Sequence, residues 1–271
     1  MSAARTLTSG LAQLAFAAEG AGEPVVFLHA GVADRRMWRE QVQAVAQRRR
    51  AIAYDRRGFG ETLHADEPYS HVTDLVAVLD ALAPSKPAVL VGCSQGGRIA
   101  LDAALALPER VRALVLVAPA ISGAPEIEDM PPALRNWIER MEAAEASADV
   151  DRINTLEAHA WLDGPLAPEG RVGGAARALL LDMNELALRA DQRGSEIAPP
   201  PAYERVGEIT VPTLLVWGDL DFAHIATRCE YLASRIAGAR AHRLRGAAHL
   251  PNLEDGPGFN RLLLEFLDSL Q

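Results

Sequence analysis

Leu90-Val91-Gly92-Cys93-Ser94-Gln95-Gly96-Gly97-Arg98 is the stretch whose reading decides the fold. An apolar run from Ala88 to Val91 enters a Gly-Cys-Ser-Gln-Gly turn, and a helix-like pattern leaves it. This is the layout of a nucleophile elbow, in which a serine sits on a strained turn between a strand and a helix. Such a turn needs missing side chains, because the backbone folds too sharply for a Cβ atom at every position. Gly92 and Gly96 stand two residues either side of Ser94, and Gly97 lets the helix start pack close to a sheet. The same glycines also suit a helix start that happens to contain a serine. The rest of the chain has to choose between these readings.

Outward from the elbow, short apolar runs recur, each closed by turn residues. Pro24-Val25-Val26-Phe27-Leu28 closes at His29-Ala30-Gly31, and Arg50-Ala51-Ile52-Ala53-Tyr54 closes at Asp55-Arg56-Arg57-Gly58. Residues 113–117 close at Ala118-Pro119, 213–217 at Gly218-Asp219, and 241–244 at Gly246. Residues 38–46, 72–82, 96–107 and 258–270 have the apolar spacing of helices. Continuous apolar strands alternating with helices predict a mostly parallel sheet covered on both faces. Ala100, Ala103 and Ala104 put small residues on one face of the helix after the elbow, as a tightly packed central helix needs. The apolar run 11–18 is too interrupted, by Gln13 and by Ser9-Gly10 before it, to read as a signal peptide. It reads as an N-terminal strand.

Residues 121–205 break the rhythm. They hold no convincing strand, are rich in Ala, Glu and Met, and are bounded by Pro125, Pro131-Pro132 and Pro199-Pro200-Pro201. Residues 134–144, 153–161 and 175–189 read as helices. A helical insertion between two parallel strands is best placed at their carboxyl ends, where ligands bind. The expected organisation is a core made of residues 1–120 and 206–271, with 121–205 as a helical cap, or lid.

A chain of 271 residues with 49% hydrophobic and 23% charged residues is of ordinary globular composition and long enough for one large domain. Its net charge of −9 argues against a nucleic-acid or anionic-membrane partner. Arg48-Arg49-Arg50 reads as a solvated helix end, where cations suit the negative pole of the dipole. Two cysteines, Cys93 and Cys229, make neither a disulfide framework nor a metal-ligand set, and Cys93 reads as a small buried residue at a strand end. No apolar run is long enough to span a bilayer, so the expected location is the cytoplasm.

A serine hydroxyl is a weak nucleophile at neutral pH and needs a base, which in turn needs an orienting group. On an elbow these follow in the order Ser, Asp or Glu, His. Val216-Trp217-Gly218-Asp219-Leu220-Asp221 carries two aspartates just past a strand, and Arg245-Gly246-Ala247-Ala248-His249-Leu250-Pro251 puts a histidine in the loop after the last strand. His64, His71, His159, His224 and His242 read as structural. His249 stands apart by its strand-end loop, its small neighbours and the chain order.

With these residues the chain resembles an α/β-hydrolase-fold serine hydrolase, from the His29-Ala30-Gly31 loop to the C-terminal helix. The resemblance implies an α/β-hydrolase fold: a mostly parallel central sheet flanked by helices, with the lid as its least similar part. It selects Asp221 over Asp219 through a Gly-x-x-Asp pattern, leaving Asp219 as a turn or capping residue. Asp55-Arg56-Arg57-Gly58-Phe59-Gly60 is similar to an architectural turn of the family, so its charges are not expected to be catalytic. The implied roles are Ser94 as nucleophile, His249 as base and then acid, and Asp221 as orienting acid. The backbone N–H groups of Gln95 and Gly31 are the implied oxyanion donors. Ala30 stands where relatives have glycine, so it stays open as the second donor, and His29 is expected to brace the loop. Phe222 and Leu250, next to catalytic positions, and Trp137 and Trp161 in the lid are candidate pocket residues, with Met141 and Met183 behind them. Arg177 and Arg189 are candidates for holding a substrate carboxylate. The implied reaction is hydrolysis of a small carboxylic ester or lactone through an acyl-enzyme, with no metal or organic cofactor. The segment around His29 and the elbow look similar to those of small carboxylesterases and 3-oxoadipate enol-lactonases. A C–C bond hydrolase, a cofactor-free haloperoxidase or perhydrolase, and a hydrolase-fold ligand receptor share the scaffold and remain alternatives.

Overall fold

The strands Pro24–Leu28, Ala88–Cys93 and Thr213–Gly218 are buried on both faces, which only a sheet covered on both sides provides. The computed structural model describes residues 5–125, 132–191 and 194–270. Pro131, one of the expected insertion boundaries, lies outside them. The eight strands are β1 (Arg5–Ser9), β2 (Ala12–Glu19), β3 (Pro24–Leu28), β4 (Arg50–Tyr54), β5 (Ala88–Cys93), β6 (Val111–Val117), β7 (Thr213–Gly218) and β8 (Arg240–Leu244). They form one sheet in the order β1-β2-β4-β3-β5-β6-β7-β8. Only β1–β2 and β2–β4 pair antiparallel; from β4 to β8 the sheet is parallel.

Alternation along the strands sends side chains into two apolar layers. Val26, Leu28, Ile52, Leu90, Leu114 and Leu215 face one layer, and Val25, Phe27, Ala53, Val91, Val115 and Val216 face the other. The first is covered by α2 (His71–Leu82), α3 (Gln95–Ala106) and α7 (Ala223–Arg235), and the second by α1 (Arg39–Ala46) and α9 (Gly256–Asp268). Each fully buried aliphatic side chain of this kind contributes about 1.5–3 kcal/mol relative to exposure. The helix starts are capped locally. The Ser70 hydroxyl accepts from the Thr73 N–H, and the Asp255 carboxylate accepts from Gly258 N–H at 3.0 Å.

The insertion leaves the sheet after β6 and returns before β7. It carries α4 (Pro132–Ala146), α5 (Val150–Ala158) with a one-turn π-helix at His159–Asp163, and α6 (Gly174–Leu188); α8 (Pro251–Glu254) follows the His249 loop. Its two ends are tied together, since Ser122 accepts hydrogen bonds from Ala202 N–H (2.9 Å) at its hydroxyl and from Tyr203 N–H (3.0 Å) at its carbonyl. A short 3-10 segment, Tyr203–Glu208, then crosses the expected boundary at Arg205.

Three local features differ from expectation. β1 pairs with β2 although Arg5-Thr6-Leu7-Thr8-Ser9 has no apolar run, because an edge strand needs only one covered face. The helix α7 was not anticipated, although Ile225, Cys229 and Leu232 form its buried stripe. Arg49 is not solvated: it is buried, paired with Asp268 at 3.0 Å and donating to the Leu267 carbonyl at 2.8 Å. Its apolar stem and two acceptors make it a clasp onto α9 instead of a free helix end.

Candidate active site

Ser94 sits between β5 and α3 with φ 53° and ψ −114°, a backbone conformation that costs a non-glycine residue about 1–3 kcal/mol. Its backbone neighbours hold it there: Ser94 N–H donates to the Val117 carbonyl at 2.9 Å, and the Ser94 carbonyl accepts from Arg98 N–H and Ala120 N–H, both at 3.0 Å. The flanking glycines are required by contact. A Cβ at Gly92 would overlap the Gly96 carbonyl, and one at Gly96 would overlap the Leu28 carbonyl. At Gly97 a Cβ would come 2.7 Å from the Pro119 Cβ, so this glycine lets α3 approach the loop after β6.

Asp221 and His249 come from loops at the ends of adjacent strands, β7 and β8. His249 Nδ1 and Asp221 Oδ2 are 2.7 Å apart with both side chains buried, and the other carboxylate oxygen accepts from Phe222 N–H at 2.7 Å. The two loops are stitched together. Leu220 N–H donates to the Ala247 carbonyl at 2.9 Å, and Gly246 N–H donates to Asp219 Oδ1 at 2.7 Å. Asp219 therefore braces the turn, and Asp221 alone reaches the imidazole. From below, Glu254 accepts Ala248 N–H at 2.8 Å, and Arg171 of the insertion pairs with Glu254 while donating to the Gly246 carbonyl at 2.9 Å. The elbow and the histidine loop meet where the Cys93 thiol lies 3.7 Å from the His249 carbonyl oxygen. Cys93 is fully buried, and burial pushes its thiol well above the ordinary range. His249 Nε2 is buried and has no hydrogen-bond partner among the described residues, Ser94 included.

The loop after β3 lies against the elbow. His29 is fully buried, with Nδ1 2.8 Å from the Ala30 carbonyl and Nε2 accepting from Arg56 N–H at 3.0 Å. Burial first, and the Arg56 charge second, hold its pKa well below 6.5, so it is a neutral brace. Ala30 needs no left-handed backbone, and its N–H points to the Met37 sulfur at 3.4 Å. Gly31 faces Gln95, whose side chain a Cβ on Gly31 would meet at 3.1 Å. Gln95 is the first residue of α3, a position whose N–H has no intrahelical acceptor. Its side-chain oxygen accepts from Arg56 at 2.9 Å, a contact that gives the buried Asp55-Arg56-Arg57 turn a direct hold on the elbow.

Above His249 stands an aromatic wall from the insertion. The Trp161 ring lies 4.6 Å from the imidazole and 4.8 Å from Phe222, and Trp137 packs edge-on to Phe222 at 5.9 Å. Phe222 also lines a cavity of about 350 Å³ beside Asp221, together with Leu134, Leu166 and Arg228. Neither Ser94 nor His249 lines this cavity; Asp221, which binds His249, and Phe222, which packs on Trp161 next to the imidazole, do. Among the sequence candidates, Leu250 is fully buried in the core layer under β3 and β7 and lines no part of that cavity. Met141 and Met183 are buried in helix packing. Arg177 and Arg189 are already paired, with Asp163 and with Glu185 and Asp151. His224, expected to be structural, lines the cavity instead, and Arg228 was not singled out at all. No group of three or more His, Cys, Asp or Glu side chains able to hold a metal ion occurs among the described residues.

The family model of the alpha/beta hydrolase family matches residues 25–262. The chain belongs to this family. Among its relatives, a Bacillus subtilis (strain 168) protein provisionally named 2-succinyl-6-hydroxy-2,4-cyclohexadiene-1-carboxylate synthase is 31% identical, covering 98% of each chain. A pimeloyl-(acyl-carrier protein) methyl ester esterase of Neisseria meningitidis serogroup C is 27% identical over 91% of this chain and 94% of its own length. Among solved structures, Est816, described as an N-acyl homoserine lactone degrading enzyme, superposes with a TM-score of 0.75 at 28% identity, covering 96% of this chain and 99% of that one. The α/β-hydrolase fold expected from the elbow is thus the fold of this family member.

Proposed function

We propose that this family member is a serine hydrolase that cleaves a small carboxylic ester or lactone through an acyl-enzyme. The observation that carries the reading is the buried Asp221–His249 hydrogen bond of 2.7 Å, with the imidazole's other nitrogen left unpartnered and the histidine's backbone touching the elbow at Cys93. Asp221 fixes the tautomer that keeps Nε2 free to accept a proton. The names of the relatives, an ester-cleaving enzyme and a lactone-degrading one, support the bond type.

In the first half-reaction His249 Nε2 takes the Ser94 proton as the hydroxyl oxygen attacks the substrate carbonyl carbon. The oxyanion that forms is held by the N–H groups of Gln95 and Gly31, which cost no reorganisation because α3 and the Gly31 turn fix them. The Met37 contact to Ala30 N–H supports Gly31 as the second donor. Collapse breaks the ester C–O bond, and the imidazolium gives its proton to the departing alkoxide; for a lactone the alcohol stays attached and the ring opens. In the second half-reaction His249 takes a proton from water, the hydroxide attacks the acyl carbon, and the proton returns to Ser94. Ser94 and His249 make no mutual hydrogen bond, and such bonds often tighten only with substrate bound.

The purified protein should release p-nitrophenol from a short-chain p-nitrophenyl ester. Ser94→Ala should lower kcat roughly 10³-fold or more while circular dichroism stays unchanged. A Ser94→Ala protein with undiminished turnover contradicts the reading.

A further inference from the structure

The cavity that Asp221 lines is mostly apolar, with Tyr203, His224, Thr227 and Tyr231 as further polar lining and one guanidinium, that of Arg228, among the described residues. Leu134, Pro165, Leu166 and Phe222 provide apolar wall, and Arg228 enters from α7. Two half-buried arginines of the insertion have carboxylate partners, Arg171 with Glu254 and Arg177 with Asp163. Arg228 is half-buried as well, yet among the described residues it pairs with no carboxylate, and burial pushes its pKa down, with only Tyr203 acting the other way. An arginine stays charged even so, and a partly desolvated charge without a counter-ion is costly. Asp221, the acid that lines the cavity, has both oxygens committed, to His249 and to Phe222 N–H. His224, also at the cavity, is held at about 4 by burial and by Arg228, so near neutral pH it adds a ring nitrogen and no second charge.

Position adds a length. Arg228 lies five residues past the start of α7, roughly 7–8 Å along the helix axis from the end nearest Asp221. The acyl group is held by the protein from the first attack until water releases it, whereas the alcohol leaves after the first half-reaction, so the acyl group is the part of the substrate that a subsite with its own counter-charge serves.

On the reading of Ser94 as nucleophile, we infer that this cavity receives an aliphatic acyl chain ending in a carboxylate, which pairs with Arg228. The esters favoured are then half-esters of aliphatic dicarboxylic acids. The apolar wall takes the methylene chain, and the guanidinium takes the terminal carboxylate in a charge-assisted, bidentate contact.

The test compares mono-p-nitrophenyl adipate with p-nitrophenyl hexanoate, which have equal chain length and differ by the charge. The ratio of their kcat/KM values should favour the adipate ester, and Arg228→Gln should lower that ratio roughly 10- to 100-fold, with Arg228→Lys keeping part of it. A ratio that Arg228→Gln leaves unchanged overturns the inference. Calorimetric titration with adipate on the full-length Ser94→Ala protein separates the two claims. If neither ester is turned over, the reading of Ser94 fails by itself and adipate binding decides: binding that Arg228→Gln removes supports the subsite, and binding that is absent or indifferent to Arg228 overturns it.

Discussion

Asp219 and Asp221 are two residues apart and have different tasks. Asp219 Oδ1 caps Gly246 N–H, and Asp221 Oδ2 holds the imidazole. Asparagine at 221 keeps the shape but offers the imidazole an amide, which selects the wrong tautomer; Asp221→Asn should lower kcat by about 10⁴-fold. Asparagine at 219 keeps an acceptor for Gly246 N–H, so Asp219→Asn should cost less than about tenfold. Steady-state kinetics on the two variants checks this, and equal, mild losses would remove Asp221 from the mechanism. The residues of this acid-base pair were legible because chain order and a strand-end position restrict them. Arg228 was not: a cation on an amphipathic helix looks in sequence like any solvated face, and only the cavity and the missing partner distinguish it. Leu250 misled for the opposite reason, since adjacency to His249 says nothing about which way a side chain points, and this one points into the core.

At the scale of elements, the elbow works because β3, β5 and α3 approach at glycine distance. A methyl at Gly96 would overlap the Leu28 carbonyl, which is backbone and cannot rotate away. Gly96→Ala should therefore destabilise by roughly 3 kcal/mol or more, or displace the His29-Ala30-Gly31 loop and with it Gly31, the proposed oxyanion donor. Urea unfolding together with kcat reads both; a variant with native stability and activity would show that the close approach is not required. The strands β3 to β7 were legible from their continuous apolar runs, whereas β8 is an exposed edge strand with two arginines and a histidine, legible only from the turn that closes it. β1 and α7 were not, because β1 alternates with polar residues at a sheet edge and α7 follows directly on a turn rich in polar residues. The helices of the insertion were legible by spacing, but their docking was not. It depends on contacts such as Trp161 on His249 and Arg171 on Glu254, which join residues far apart in sequence.

At the scale of the whole molecule, the fold gathers Gly31, Ser94, Asp221 and His249 from the ends of β3, β5, β7 and β8, and it buries a histidine to do so. His29 titrates well below 6.5 in the folded protein, so in the acid range the unfolded chain binds more protons there. Its stabilising effect is present above pH 6.5 and is lost as pH falls below it, by at most about 1.4 kcal/mol per pH unit. Asp55, raised to about 6 mainly by burial, acts with the opposite sign: it favours the fold when protonated and loses that effect as pH rises from about 4 through 6. Comparing urea unfolding of wild type and His29→Asn between pH 8 and 5 cancels the Asp55 part. The wild type should lose more stability on acidification than the variant, and parallel curves would show that His29 is not buried neutral. The assembly of the four positions makes one claim central, that Ser94 is acylated. It is tested most directly by treating the protein with diisopropyl fluorophosphate and mapping the adduct by mass spectrometry. The account predicts a single adduct on the peptide carrying Ser94, lost in Ser94→Ala and matched by loss of ester hydrolysis. An adduct on another residue, with hydrolysis lost alongside it, would contradict the account.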